Sequence, residues 1–98
     1  MTRDDVLARL QAHEPELRRL GVRSLALFGS VARGDDTPES DVDILVSIEP
    51  EAELSLLGIA RIHRRLGELL GREVDLVERE ALRPPFAEEV AREEARAF

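Results

Sequence analysis

Hydrophobic positions along the chain switch several times between helical and strand spacing, which predicts an α/β (α+β) domain. Val6, Leu10, His13, Leu17 and Leu20 recur at steps of 4, 3, 4 and 3, the spacing of one helical face. Thr2 with Asp5 resembles a capping box, so a helix starts near Thr2. Pro15 breaks it, which predicts a helix to about His13 and a short second one from Pro15, ended by Gly21. Arg23 to Phe28 is apolar on both faces and reads as a buried strand running into a turn at Gly29-Ser30. A second strand, Asp41 to Ser47, follows the polar stretch Asp35 to Ser40 and ends at Glu49-Pro50. Ile59, Ile62, Leu66 and Leu69 mark a helix from about Glu53 to Leu70, stopped by Gly71. Glu73 to Val77 is the third strand. Pro84-Pro85 introduces a last helix with Phe86 and Val90 turned inward and Glu88, Glu89, Glu93 and Glu94 toward water.

Composition narrows the function classes. The chain has 98 residues, 14 basic and 21 acidic side chains and a net charge of −7. That length predicts one domain spanning 1–98. The acidic balance argues against a nucleic-acid clamp, which needs a clustered basic face. Phe28, Phe86 and Phe98 are the only aromatic residues, too few to stack successive bases. There is no cysteine, which removes disulfides, thiolate metal sites and cysteine nucleophiles. No apolar run approaches a membrane span and no leader pattern opens the chain, so a cytoplasmic protein is expected.

Candidate chemistry gathers on the strands. Asp41 and Asp43 are two apart on a predicted strand, so both carboxylates project from one face. Asp75, between Val74 and Leu76, supplies a third acid on a strand that could lie beside the second. An isolated Asp-x-Asp is ordinarily a pair of solvated strand-end residues. Here Asp43 and Asp75 interrupt runs that should be buried, and charges in apolar strands need an explanation. Anions held together favour a proton or a hard divalent cation, and Mg²⁺ is commonly held by one or two carboxylates plus water and phosphate. Gly29-Ser30, leading into Val31-Ala32-Arg33, could offer backbone N–H groups and a hydroxyl to a phosphate. Taken alone, that dipeptide is an N-capping serine after a turn glycine. No P-loop or dinucleotide-binding glycine pattern is present.

Taken together, Phe28-Gly29-Ser30-Val31-Ala32-Arg33-Gly34, six intervening residues and Asp41-Val42-Asp43-Ile44-Leu45-Val46 resemble the signature of the polymerase-beta-type nucleotidyltransferases. Ser40 before the first aspartate and the later Val74-Asp75-Leu76-Val77 resemble the minimal subfamily in particular. The resemblance covers roughly Val22 to Val77 and implies a small palm with a mixed sheet of three or more strands flanked by helices. It places nucleotide binding on Gly29, Ser30, Arg33 and Ser40, and the catalytic and metal-binding carboxylates on Asp41, Asp43 and Asp75. Glu73, with the same strand parity, competes for the third position but lies outside the apolar run. The implied cofactor is Mg²⁺, two ions during turnover with Mn²⁺ as a substitute, and the implied substrate is ATP.

A palm this small has no further domain to hold an acceptor, so another molecule must complete the site. Minimal nucleotidyltransferases resemble antitoxins that attach AMP to a tyrosine of a HEPN-domain ribonuclease toxin, and AMP transfer to such a partner is the leading expectation. The alternatives are an antitoxin that inhibits by steric coverage and, third, a small-molecule nucleotidyltransferase. Elsewhere, Arg61, Arg64 and Arg65 read as a solvated face, and His13 and His63 as boundary or surface histidines. Phe98 becomes an interface anchor only if it is exposed.

Overall fold

The computed structural model describes residues 1–98. Helix α1 (Arg3–Ala12) starts at the expected cap: the Asp5 N–H donates to Thr2 Oγ1 at 3.2 Å and the Thr2 N–H donates to the Asp5 carboxylate at 2.9 Å. Pro15 then sits in the first turn of α2 (Glu14–Arg19), where its missing N–H costs nothing. Strand β1 (Val22–Phe28), the short helix α3 (Gly29–Arg33), β2 (Val42–Ile48), α4 (Leu56–Leu70), β3 (Val74–Glu78), α5 (Phe86–Glu93) and β4 (Ala95–Arg96) follow.

The sheet order is β3-β2-β1-β4. Strand β2 pairs antiparallel with β1 and parallel with β3, and α4 makes the crossover that parallel pairing requires. The fourth strand lies past α5, where the periodicity marks none. Ala95 and Arg96 pair with Leu27 and Ala26, and two residues are too few to show an alternating pattern.

Strand alternation sorts the core into two unequal parts. One face of the sheet, through Leu25, Leu27, Val42, Ile44, Val46 and Val74, joins Val6, Leu10, Leu17, Ile62, Leu66 and Leu70 in a cluster of 17 buried residues. The other face carries a cluster of only four, Ala26, Phe28, Leu45 and Val90, with Val77 and Leu82 packed against it. The helices α1 to α4 thus cover the first face, while α5 and the segment from the 3-10 turn Arg79–Ala81 to Leu82 pack across the second.

Several expectations change. The long helix starts at Leu56, not near Glu53, because Glu53 adopts a left-handed conformation (φ 45°) after a 3-10 turn at Pro50–Ala52, and Ser55 takes the cap by accepting from the Gly58 N–H. Phe86 is 47% exposed and only its edge meets Phe28, the ring centres lying 6.4 Å apart. Glu94 does not face water: both its oxygens accept from Arg79 at 3.0 Å. Phe98 is no free anchor, since it packs against the main core with the Arg18 guanidinium 5.0 Å over its ring.

Arg65 leaves the solvated face to bind Glu16 of α2 through two bonds, at 2.6 and 3.2 Å. That hydrogen bond holds the Glu16 carboxyl below its usual range, against a smaller opposing effect of burial. A carboxylate with a lower pKa in the folded state adds stability above its unfolded value and loses it as pH falls through the folded one. Glu16→Gln is therefore expected to lower Tm at pH 7, with the two melting curves converging below the unfolded glutamate value of about 4.3. Leu66, fully buried at the centre of α4, is expected to cost about 2–5 kcal/mol when cut to alanine, read from urea unfolding.

Candidate active site

The sheet register assembles the site. Phe28 is the partner of Asp43 across the β1–β2 ladder, and Asp43 is the partner of Asp75 across β2–β3. One row therefore runs Phe28, Asp43, Asp75, at the end of the sheet where β1 finishes and the other two strands begin. Adjacent strands lie about 4.8 Å apart, so the two carboxylates are neighbours. Alternation puts them on the face with Leu45 and Val77, the sparsely covered side. Asp41 immediately precedes β2 and is exposed.

The electrostatics follow from that placement. Partial burial, the charge of Asp75, the charge of Asp41 and a hydrogen bond with Asp75, in that order, push the Asp43 carboxyl above its usual range, while Arg33 pulls it down. Glu73 lies just outside β3, before the rung that pairs Asp43 with Asp75. The donor set is hard oxygen carrying excess negative charge, the chemistry that suits a divalent cation. No three acidic or histidine side chains close on a single point. Two adjacent carboxylates can still hold a metal that takes the rest of its shell from water and substrate phosphate, as Mg²⁺ does.

Gly29 is required by this row. It has a left-handed backbone (φ +72°), and a Cβ placed on it would sit 2.1 Å from the Asp43 Oδ2. The chain turns directly over the carboxylate and enters α3. The residue before that helix is Phe28, whose side chain cannot cap it, so its first N–H groups have no side-chain acceptor. Ser30 lies in this first turn.

Two expected nucleotide contacts have other partners. Arg33 bonds Asp35 and Glu93, each at 3.2 Å, which ties α3 to α5. The Ser40 hydroxyl accepts from the Thr37 N–H at 2.9 Å and closes the loop before Asp41. His63 turns its Nε2 to the Val74 carbonyl oxygen at 2.7 Å and meets no other candidate ligand. Sequence reasoning missed Arg72, which reaches the same loop from the α4–β3 turn; one arginine among fourteen carries no local signal.

Gly34 also has positive φ (+80°), but its missing Cβ would meet nothing within 4 Å. Gly34→Ala is expected to cost about 1–2 kcal/mol, the backbone strain alone. Gly29→Ala is expected to cost more in the same urea titration, because the methyl must also displace Asp43.

A family model for the nucleotidyltransferase domain matches residues 10–98. The chain is 43% identical over 94 residues to the protein adenylyltransferase MntA of Thermococcus cleftensis, covering 95% of this chain and 93% of that one. A solved structure described as a minimal nucleotidyltransferase superposes with a TM-score of 0.81 at 38% identity, covering 97% and 95% of the two chains. A structure of a tri-AMPylated Shewanella oneidensis HEPN toxin with an MNT antitoxin contains the same fold, with a TM-score of 0.64 at 19% identity over 94% of this chain and 71% of that one. With the glycine turn and the paired aspartates lying inside the matched residues, the chain belongs to the nucleotidyltransferase-domain family.

Proposed function

We propose that this protein transfers AMP from ATP to a tyrosine hydroxyl of a HEPN-type ribonuclease toxin and thereby acts as an antitoxin in the cytoplasm, where ATP is supplied. The observation that carries the reading is the carboxylate row packed under a glycine turn, beside helix N–H groups that no side chain caps. Similarity to MntA of Thermococcus cleftensis over nearly the whole chain supports protein as the acceptor class.

In this reading Asp41 and Asp43 would hold Mg²⁺ together with the nucleotide, and Asp75 would complete the set from the neighbouring strand. Bound metal ions would lower the pKa of the attacking hydroxyl and screen the triphosphate charge. The Gly29 turn lets phosphate approach the backbone, and the N–H groups opening α3 with the Ser30 hydroxyl donate to its oxygens. Arg33 fixes α3 against α5 and adds positive charge near Asp43. Ser40 shapes the loop that presents Asp41.

The tyrosine oxygen forms a bond to the α-phosphorus as the bond from that phosphorus to the bridging oxygen breaks. Pyrophosphate leaves with the electron pair, and the phenolic proton passes to Asp75. The product carries a bulky phosphodiester anion on the toxin, which repels RNA phosphate.

The experiment combines α-labelled ATP, Mg²⁺ and the product of the neighbouring gene, and follows label on that product and loss of its toxicity. Label transfer is expected. Asp43→Asn is expected to lower it by more than about 100-fold, beyond the 10–100-fold usual for residues that only orient metal ligands, with the folded state retained by circular dichroism. Full neutralisation by an Asp41→Asn, Asp43→Asn double variant would instead establish inhibition by steric coverage. Label on small-molecule acceptors alone would establish the third alternative.

A further inference from the structure

Arg72 lies just beyond α4, after Gly71 has turned the chain with a left-handed backbone (φ +64°). Its side chain crosses to the loop between α3 and β2. Nη1 donates to the Asp36 carboxylate at 3.1 Å, and Nη2 donates to the carbonyl oxygens of Thr37 at 3.0 Å and Ser40 at 2.6 Å. The two side chains of the Arg72–Asp36 pair are 13% and 16% exposed, the most sequestered ion pair in the molecule. Arg72 Nε is buried without any partner. The unpaired donor carries a desolvation cost, set against the three bonds that the guanidinium makes to the loop. The guanidinium is aimed at the loop even so.

What it holds is the approach to Asp41. The Ser40 carbonyl, bonded by Arg72, belongs to the peptide that joins Ser40 to Asp41. On the other side of Asp41, the Val42 N–H donates to the Glu73 carbonyl at 2.9 Å. Residues 72 and 73 therefore grip the backbone immediately before and after Asp41, which itself lies outside β2 and is exposed. Two residues further along, Asp75 stands beside Asp43. The same short segment that carries one carboxylate into the row fixes the position of another.

We propose that Arg72 is a positioning residue for the metal–nucleotide site, holding the 36–40 loop so that Asp41 faces Asp43 and Asp75. The inference rests on the metal-binding role assigned to those carboxylates above. Lysine cannot replace Arg72, because a single ammonium lacks the planar fork that spans a carboxylate and two carbonyls.

The test uses full-length Arg72→Ala, Arg72→Lys and Asp36→Asn. Amide hydrogen exchange of residues 37–41 is measured in the ligand-free protein, and uptake of Mn²⁺ with the non-hydrolysable analogue AMP-PNP is followed by electron paramagnetic resonance. Both Arg72 variants are expected to speed exchange at 37–41 while leaving Ile44 and Val46 protected. They are also expected to raise the half-saturating Mn²⁺ concentration about 10–100-fold, the scale of lost orienting contacts. Asp36→Asn keeps the carbonyl contacts and is expected to shift both readouts in the same direction by less; it decides the matter if Arg72→Ala does not fold. Exchange faster at 37–41 with Mn²⁺ uptake within about twofold of the unchanged protein would make Arg72 a structural clamp only and overturn the inference. Unchanged protein that takes up no Mn²⁺ with AMP-PNP would overturn the metal site itself, and this inference with it.

Discussion

Two like charges are held side by side by a hydrogen-bond ladder that does not let them part. Asp43 is the partner of Asp75 because Val42, Ile44 and Val46 on the opposite face are locked into the larger core. A slip of one residue would send Asp43 into that core and bring Ile44 out of it. Hydrophobic burial on one side of the sheet thus enforces electrostatic repulsion on the other. Much else follows from this constraint. The residue after Phe28 must lack a side chain, because the Asp43 carboxylate occupies the space. The parallel pairing that brings Asp75 alongside needs a crossover, and α4 supplies it while also covering the core.

The sequence made the row legible where its information is local. Asp43 and Asp75 each interrupt an apolar run, which marks them locally, and Gly29-Ser30 follows such a run directly; Asp41 falls just outside β2, where strand parity no longer applies. The helix stops at Gly21 and Gly71 and the Thr2 cap were legible for the same reason. What could not be read depends on partners far along the chain. Arg72 finds the Ser40 carbonyl across 32 positions, and Arg33 finds Glu93 across 60. Ser40 shows the opposite difficulty: its place beside the first aspartate pointed to the nucleotide, but its hydroxyl is satisfied three residues back, at Thr37. The start of α4 differs because no local signal shows that the backbone at Glu53 leaves helical space, with Ser55 taking the cap two residues on.

Every basic residue in the chain is an arginine, and the structure uses the breadth of that side chain. Arg65 joins α2 to α4, Arg79 grips Glu94 with two parallel bonds, and Arg33 spans α3 and α5. Each ties an element near the sheet to one farther along the sequence. Exposed pairs of this kind add little stability singly; their effect is geometric, restricting how the small elements α2, α3 and α5 sit on a sheet of four strands.

The imbalance between the two faces of the sheet has a consequence for how such a protein can change. Its folding information is concentrated on the side filled by Leu10, Leu17, Ile44 and Leu66. The carboxylates look out from one end of the other side, which a short helix and the segment around Leu82 cover with a much smaller cluster. Substitutions around the rim of that open face remove little from the packed interior. The surface that meets an acceptor can therefore be rewritten to suit a different one, while the half of the molecule that makes it fold stays as it is.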